Sequence, residues 1–238
     1  MAIKNSSYFQ THYRFGAGTE AAFKPYIKII EKSFGPISRP KAEIAICDIG
    51  CSTGNFLHYL YGRGYRRLTG IELDTDSWAF ADGHRDGRFT VQNEDALSFI
   101  KNSDEPPDVY TFLNVVEHFP FEYLGEILNT LKAKMKKRSL CFMAIPNAGT
   151  LYHNHWLYDD ATHQGHYTVR SFGQILRTCG WEESQIFFLN DRSICQGPLK
   201  MPRLILYFVL LPALDRVLQG KSLNNQYQTP NLIVLLRA

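Results

Sequence analysis

The stretch ICDIGCSTGNF, residues 46–56, places an acid and two glycines where an apolar run stops. Gly50 and Gly54 let the backbone bend sharply and let a ligand approach where a Cβ would otherwise stand. The loop feeds a segment of helical spacing, and free N–H groups at a helix start favour an anionic group. Two common ligand loops are excluded. A nucleoside-triphosphate loop needs Gly-Lys-Ser/Thr, and no lysine follows Gly54. The dinucleotide fingerprint needs glycine at positions 52 and 55, where Ser52 and Asn55 stand. What is left is Asp-x-Gly-x-x-x-Gly over Asp48–Gly54, with a second acid, Glu72, ending the next apolar run.

The elements that must position this loop alternate. EIAICDIG, RRLTGIEL, RFTVQ, DVYTFLNVV and SLCFMAIPN read as five strands, and Phe56, Leu57, Leu60 and Tyr61 recur at helical spacing after the first. Phe121 to Lys134 reads as an amphipathic helix with Leu124, Ile127, Leu128 and Leu131 on one face. Near-continuous apolar strands between helices argue an α/β fold with a parallel sheet covered on both faces. Ligands then bind beyond the carboxyl ends of the strands, where Asp48 to Gly54 falls. Beyond residue 146 the alternation gives way to a polar, His-rich loop (147–167), a helix at about 169–179 ended by Gly180, and two last strands, SQIFFLN and NLIVLLRA.

A chain of 238 residues suits one domain. We divide it into an N-terminal helical segment (1–40), a ligand-binding core (44–190), an insertion (190–230) and a last strand (231–238). The net charge of +3 comes without a dense basic stripe, so no nucleic-acid partner is expected. Five scattered cysteines without a C-x-x-C pair, and an N-terminus lacking a signal-length apolar core, point to a reduced, cytoplasmic chain. The apolar run Leu204 to Leu214, interrupted by Pro212, is about half the length needed to span a bilayer. The 203–218 segment is therefore expected as a buried helix or one covering the site, with a surface that meets a lipid-linked substrate or a partner subunit, such as the second copy of a homodimer, as the alternative.

CDIGCSTGNF, GIELD, NEDAL and PPDVYTFLNVVEHF, in this order, resemble the successive motifs of class I S-adenosylmethionine-dependent methyltransferases. The resemblance covers about residues 44–190. It implies a Rossmann-like, seven-stranded, mostly parallel sheet, with an N-terminal lid and an insertion before the last strand. It implies S-adenosylmethionine as cofactor and S-adenosylhomocysteine as product. By resemblance, Gly50, Cys51 and Gly54 pass the backbone beside the amino-acid end of the cofactor, with Asp48 near its ammonium. Glu72 accepts the ribose hydroxyls, Leu73 packs on the adenine, and Asp95 and Ala96 meet its edge. Asn114 and Val115 line the methyl-donor region. The family often has glycine where Ser52 stands. Taken singly, Asp48 also reads as a turn acid, Asp95 as a helix cap and Glu72 as a solvated strand end.

Asn114-Val115-Val116-Glu117 departs from the Asn/Asp-Pro-Pro-aromatic run of adenine methyltransferases, and no Pro-Cys dipeptide serves cytosine chemistry. NVVEHF with AIPN resembles small-molecule methyltransferases, and the segment 158–181 resembles O-methyltransferases associated with surface polysaccharide. The implied reaction methylates a small-molecule hydroxyl, preferably on a sugar or polysaccharide precursor. An N-methyltransferase, a phenolic O-methyltransferase and a non-catalytic methyltransferase-like module are the alternatives. Methylating a hydroxyl calls for alignment and usually a base, and histidine titrates near neutrality. His118, His163 and His166 are the candidates, with His153 and His155 in the same loop. A divalent ion on Glu117 and His118, supplemented by His163, His166 or Asp160, is a rival account; it is disfavoured because Asn114 stands where such relatives carry an acid, and no metal ligands are assigned. Tyr13 and Phe15 are expected lid contacts to the cofactor.

Overall fold

The computed structural model describes residues 20–33, 39–83, 87–150, 158–192, 199–219 and 229–238. Seven strands form one sheet: β1 (Ala45–Ile49), β2 (Arg67–Ile71), β3 (Thr90–Gln92), β4 (Val109–Leu113), β5 (Leu140–Pro146), β6 (Ile186–Asn190) and β7 (Asn231–Arg237). Their order is β3-β2-β1-β4-β5-β7-β6, with β7 alone running antiparallel to the other six. The chain turns back between β1 and β4, so the loop after β1 lies at the point where strand order reverses, as a ligand loop in an open sheet must.

Helices α1 (Glu20–Ser33), α2 (Asn55–Gly62), α3 (Thr75–Gly83), α4 (Ala96–Asn102), α5 (Phe121–Lys134) and α6 (Val169–Thr178) cover the sheet. The core divides into two layers, one on each face. Ile127, Leu128 and Leu131 of α5 pack with Tyr110, Phe112 and Met143 on one face. Ile27, Leu57 and Leu60 pack with Ile46, Phe142 and Leu235 on the other. Every residue of β5 is buried, as expected of a central strand covered on both sides.

Two expectations change. The N-terminal helix, read as part of a lid, is instead part of the sheet's covering layer over its described length. Tyr26, Ile27 and Ile30 are buried, and Phe23 sets its ring 5.2 Å from that of Phe56 on α2. Tyr13, Phe15, His153 and His155 lie outside the described residues. Ser52, where the family often has glycine, adopts the left-handed conformation regardless, at φ +48°. The 203–218 segment, expected as a buried helix or one covering the site, is not buried: it is largely exposed. It runs as α7 (Lys200–Ile205), a π-helical turn (Leu206–Leu210) and α8 (Leu211–Gln219).

Candidate active site

The loop after β1 is held by its neighbours on both sides. Gly50 N–H and Cys51 N–H both donate to the Ile71 carbonyl at the end of β2, at 2.8 and 3.1 Å. Gly50 sits at φ +69°, and a Cβ there would stand 2.5 Å from Val115 Cγ2. Both the left-handed backbone and the approach of Val115 therefore require glycine. Val115 thus serves as a wall that closes on the loop. Cys51 is buried and engages through its backbone.

Glu72 does more than end β2. Its Oε2 accepts from Ser52 N–H at 2.7 Å and its Oε1 from Asp74 N–H at 2.8 Å. The carboxylate thereby ties the glycine loop to the β2 end and fixes Ser52 in its positive-φ turn. Burial raises its pKa, opposed by those two N–H groups. Each oxygen keeps a further lone pair for an incoming hydroxyl. Leu73, next in the chain, leaves 56% of its surface exposed. An apolar side chain left open beside a half-buried acid is what a planar aromatic ligand would cover.

Asp48 is buried at the β1 end, and Thr111 Oγ1 donates to its Oδ1 at 2.6 Å. Burial lifts the carboxyl to about 7, the Thr111 hydrogen bond resists, and the Glu72 charge adds to the rise. Asp95 caps α4, accepting from Ser98 N–H at 2.9 Å and from the Tyr123 hydroxyl at 2.6 Å. Its partial burial alone would raise the pKa, but the Tyr123 and Ser98 hydrogen bonds outweigh it and the carboxyl lies below its ordinary value. The cap reading of Asp95 is thus realised, and its neighbour Ala96 opens the helix. Thr111 and Tyr123 were not singled out from the sequence, because nothing in local spacing ties them to acids 63 and 28 residues away.

Beyond β4, Asn114 takes φ +53°, and the chain turns through a 3-10 turn, Val116–His118. Gln164 N–H and Gly165 N–H donate to the Glu117 carbonyl at 2.7 and 2.9 Å, and Gln164 Nε2 donates to the His118 carbonyl at 2.9 Å. These bonds clamp the loop after β5 onto the turn and bring His163 to His118, with ring centroids 4.8 Å apart.

His118 Nδ1 lies 2.9 Å from Thr162 Oγ1, which donates at 2.7 Å to Asp160 Oδ1. The threonine hydroxyl has one proton, and with an ionised Asp160 that proton points at the carboxylate. Nδ1 of His118 must then carry the hydrogen, which leaves Nε2 as the basic nitrogen. Thr162 also escaped the sequence reading, although the Asp-x-Thr spacing of an Asx turn was a usable signal. His163 Nε2 stands 3.9 Å from Asp160 Oδ2.

Glu117 is fully buried, and neither carboxylate oxygen has a hydrogen-bond partner of full geometry among the described residues. Burial pushes its carboxyl up to about 8, with Asp160 adding to the rise and the backbone and nearby Asn114 opposing it. Ligand atoms of Glu117, His118 and His163 all lie within 4.8 Å of one another. His166 is not brought into this cluster. It stacks 5.4 Å from Tyr158 and lines a cleft between α5 and α6 with Phe121 and Gln174.

The methyltransferase domain family matches residues 19–185. No curated protein matches the sequence. Among solved structures, the chain is similar to a SAM-dependent methyltransferase from Archaeoglobus fulgidus at 21% identity and TM-score 0.68, covering 97% of this chain and 99% of that one. It is similar to the plantazolicin methyltransferase BpumL, solved with a triazolic desmethylPZN analog and SAH, at 19% identity and TM-score 0.61, covering 98% and 94%. The phosphoethanolamine N-methyltransferase 2 of Haemonchus contortus is a further neighbour, at 16% identity and TM-score 0.60, covering 98% of this chain and 59% of that one. These likenesses carry the fold, and the family match spans well over half of the chain. With the strand order, the glycine loop and the acids at the ends of β1 and β2 in place, the chain belongs to the methyltransferase domain family.

Proposed function

We propose that the protein transfers a methyl group from S-adenosylmethionine to a hydroxyl of a small molecule, a sugar or polysaccharide precursor being the preferred acceptor. The observation that carries the hydroxyl reading is the chain from His118 through Thr162 to Asp160, beside the methyl-donor wall of Asn114 and Val115.

The residues present fit the cofactor. Gly50 and Gly54 keep side chains out of the loop, Glu72 offers two oxygens beside an uncovered Leu73, and Asp48 offers a buried acid to an ammonium. When bound, S-adenosylmethionine supplies an electrophilic methyl on a sulfonium. The protein's own residues do the rest. Glu72 orients through hydroxyl contacts, and Asp48 loses its proton to meet the ammonium charge. His118 Nε2 takes the acceptor hydroxyl's proton while Thr162 and Asp160 hold its tautomer and stabilise the charge it gains. Positioning contributes the larger share, as in any in-line displacement.

A second reading rests on one observation, the unpartnered Glu117 carboxylate beside two imidazoles. That set of one oxygen and two nitrogens fits a borderline divalent ion better than magnesium. In that case His118 would be a ligand, and the acceptor hydroxyl would be polarised by the metal.

The test is S-adenosylhomocysteine release over a panel of nucleotide sugars, free sugars and phenols, each with and without chelator. Turnover of a sugar that chelator leaves intact supports the base reading. Loss of turnover with chelator, restored by a divalent ion, selects the metal reading. Turnover of phenols alone would replace the sugar assignment.

A further inference from the structure

The segment Lys200–Gln219 displays more apolar surface than its packing uses. Leu204, Tyr207, Phe208 and Leu211 follow one stripe at helical spacing and, with Pro212, are the partly or fully buried residues among those of the segment whose side chains are described. A surface helix needs one such stripe, with polar residues opposite. Here the opposite side is apolar too. Met201, Ile205, Leu206, Val209, Leu210, Leu214 and Val217 are all exposed, Val209 by 58% and Val217 by 80%.

Charge selects what covers this face. Lys200 and Arg203 stand at one end of the segment and Arg216 near the other, all exposed, and Asp215 is the one acid in the stretch. Just before it, Arg192 sets its guanidinium 5.4 Å from the Phe208 ring centroid. An apolar middle with basic ends suits anionic headgroups above an acyl boundary. A second copy of this chain suits it less. Antiparallel pairing would set Lys200 and Arg203 against the second copy's Arg216, like charge on like charge.

The segment cannot cross a bilayer. Among the described residues no helix is long and apolar enough, and Pro202 and Pro212 interrupt this one. Its place in the fold matters as well. β6 ends at Asn190 and β7 begins at Asn231, which pairs with Pro146 at the end of β5. The insertion therefore leaves and re-enters the sheet at the carboxyl-end side, the side that carries the glycine loop and His118. We infer that Lys200–Gln219 is an interfacial helix that seats the protein on an anionic phospholipid surface, apolar face down and flanking arginines among the headgroups. The inference stands apart from the methyl-transfer reading.

The test is sedimentation of the full chain with vesicles of phosphatidylcholine alone and of phosphatidylcholine with phosphatidylglycerol. We expect most of the protein to pellet with the anionic vesicles, several-fold less with the neutral ones, and less again at high salt. Val209→Glu with Leu210→Glu, both exposed, should cut the pelleted fraction at least tenfold with an unchanged melting curve. If that variant fails to fold, Arg203→Gln with Arg216→Gln should still weaken binding to the anionic vesicles alone. Absence of pelleting with anionic vesicles, or equal pelleting with both lipids, would overturn the inference. So would a lipid-free dimer by light scattering that Val209→Glu with Leu210→Glu makes monomeric, which would assign the face to a second copy.

Discussion

The carboxyl ends of β1–β3 and the turn after β4 are neighbours in the same sheet, yet they are built on opposite terms. In the first region each of the three acids read for the cofactor is answered from within: Asp48 by Thr111, Glu72 by Ser52 and Asp74, Asp95 by Ser98 and Tyr123. In the second, Glu117 is buried with neither oxygen answered among the described residues. The first region is set in advance for one fixed ligand, which is how a shared cofactor is held. The second keeps a carboxyl and two imidazoles short of satisfaction, where a proton, a cation or an acceptor completes the group.

The contrast can be broken from either side. The largest effect is expected beyond β4. His118→Ala should lower kcat by about 10²–10⁴-fold while cofactor affinity stays within about twofold, within ordinary measurement scatter. Thr162→Val should cost less and move the acidic limb of the pH–rate profile, because Nδ1 loses its acceptor; single-turnover rates across pH would check both. In the first region, Glu72→Ala should weaken cofactor binding about a hundredfold, roughly 2.7 kcal/mol. It removes the proposed ribose acceptor and frees Ser52 together. Unchanged affinity by calorimetry would remove Glu72 from the cofactor site.

Glu117 supplies a stability test. Its folded pKa is raised to about 8 from an ordinary 4.5. The neutral acid's contribution is therefore fully present below about 4.5 and is lost as pH rises towards 8. Glu117→Gln, which cannot ionise, should match the wild type near pH 4.5 and exceed it at pH 8 by on the order of 4 kcal/mol, read from denaturant melts. A wild type that gains stability on added divalent ion at pH 8, with no gain in the variant, would instead favour the metal reading.

The smallest effect concerns Asp48. With its carboxyl near 7, the free protein holds that proton through much of the neutral range. An ammonium partner needs the ionised form, so cofactor affinity should rise a few-fold between pH 6 and 8, by about one proton's linkage at most. Asp48→Asn should flatten that dependence.

Much of this was legible in the sequence, for physical reasons that differ by element. Phe121–Lys134 was read to the residue because its apolar stripe is a local pattern that packing against β4 and β5 then uses. The glycine loop was legible because two of its three positive-φ positions, 50 and 54, carry glycine. Thr111, Tyr123 and Thr162 were not singled out. Each acts through a contact between distant segments, and sequence spacing carries no trace of that. The 203–218 segment misled for the converse reason: an apolar run states that water is unwelcome, not which surface replaces it. His166 shared a loop and a residue type with His163, but it faces the cleft between α5 and α6.

The central claim is that the loop from Asp48 to Gly54 holds S-adenosylmethionine. Calorimetric titration of the full chain with S-adenosylmethionine and, separately, with NADH tests it most directly. The account predicts one site per chain for S-adenosylmethionine, with a dissociation constant on the order of 1–100 μM, and no heat with NADH. Binding of NADH in place of S-adenosylmethionine, or of neither, would contradict it.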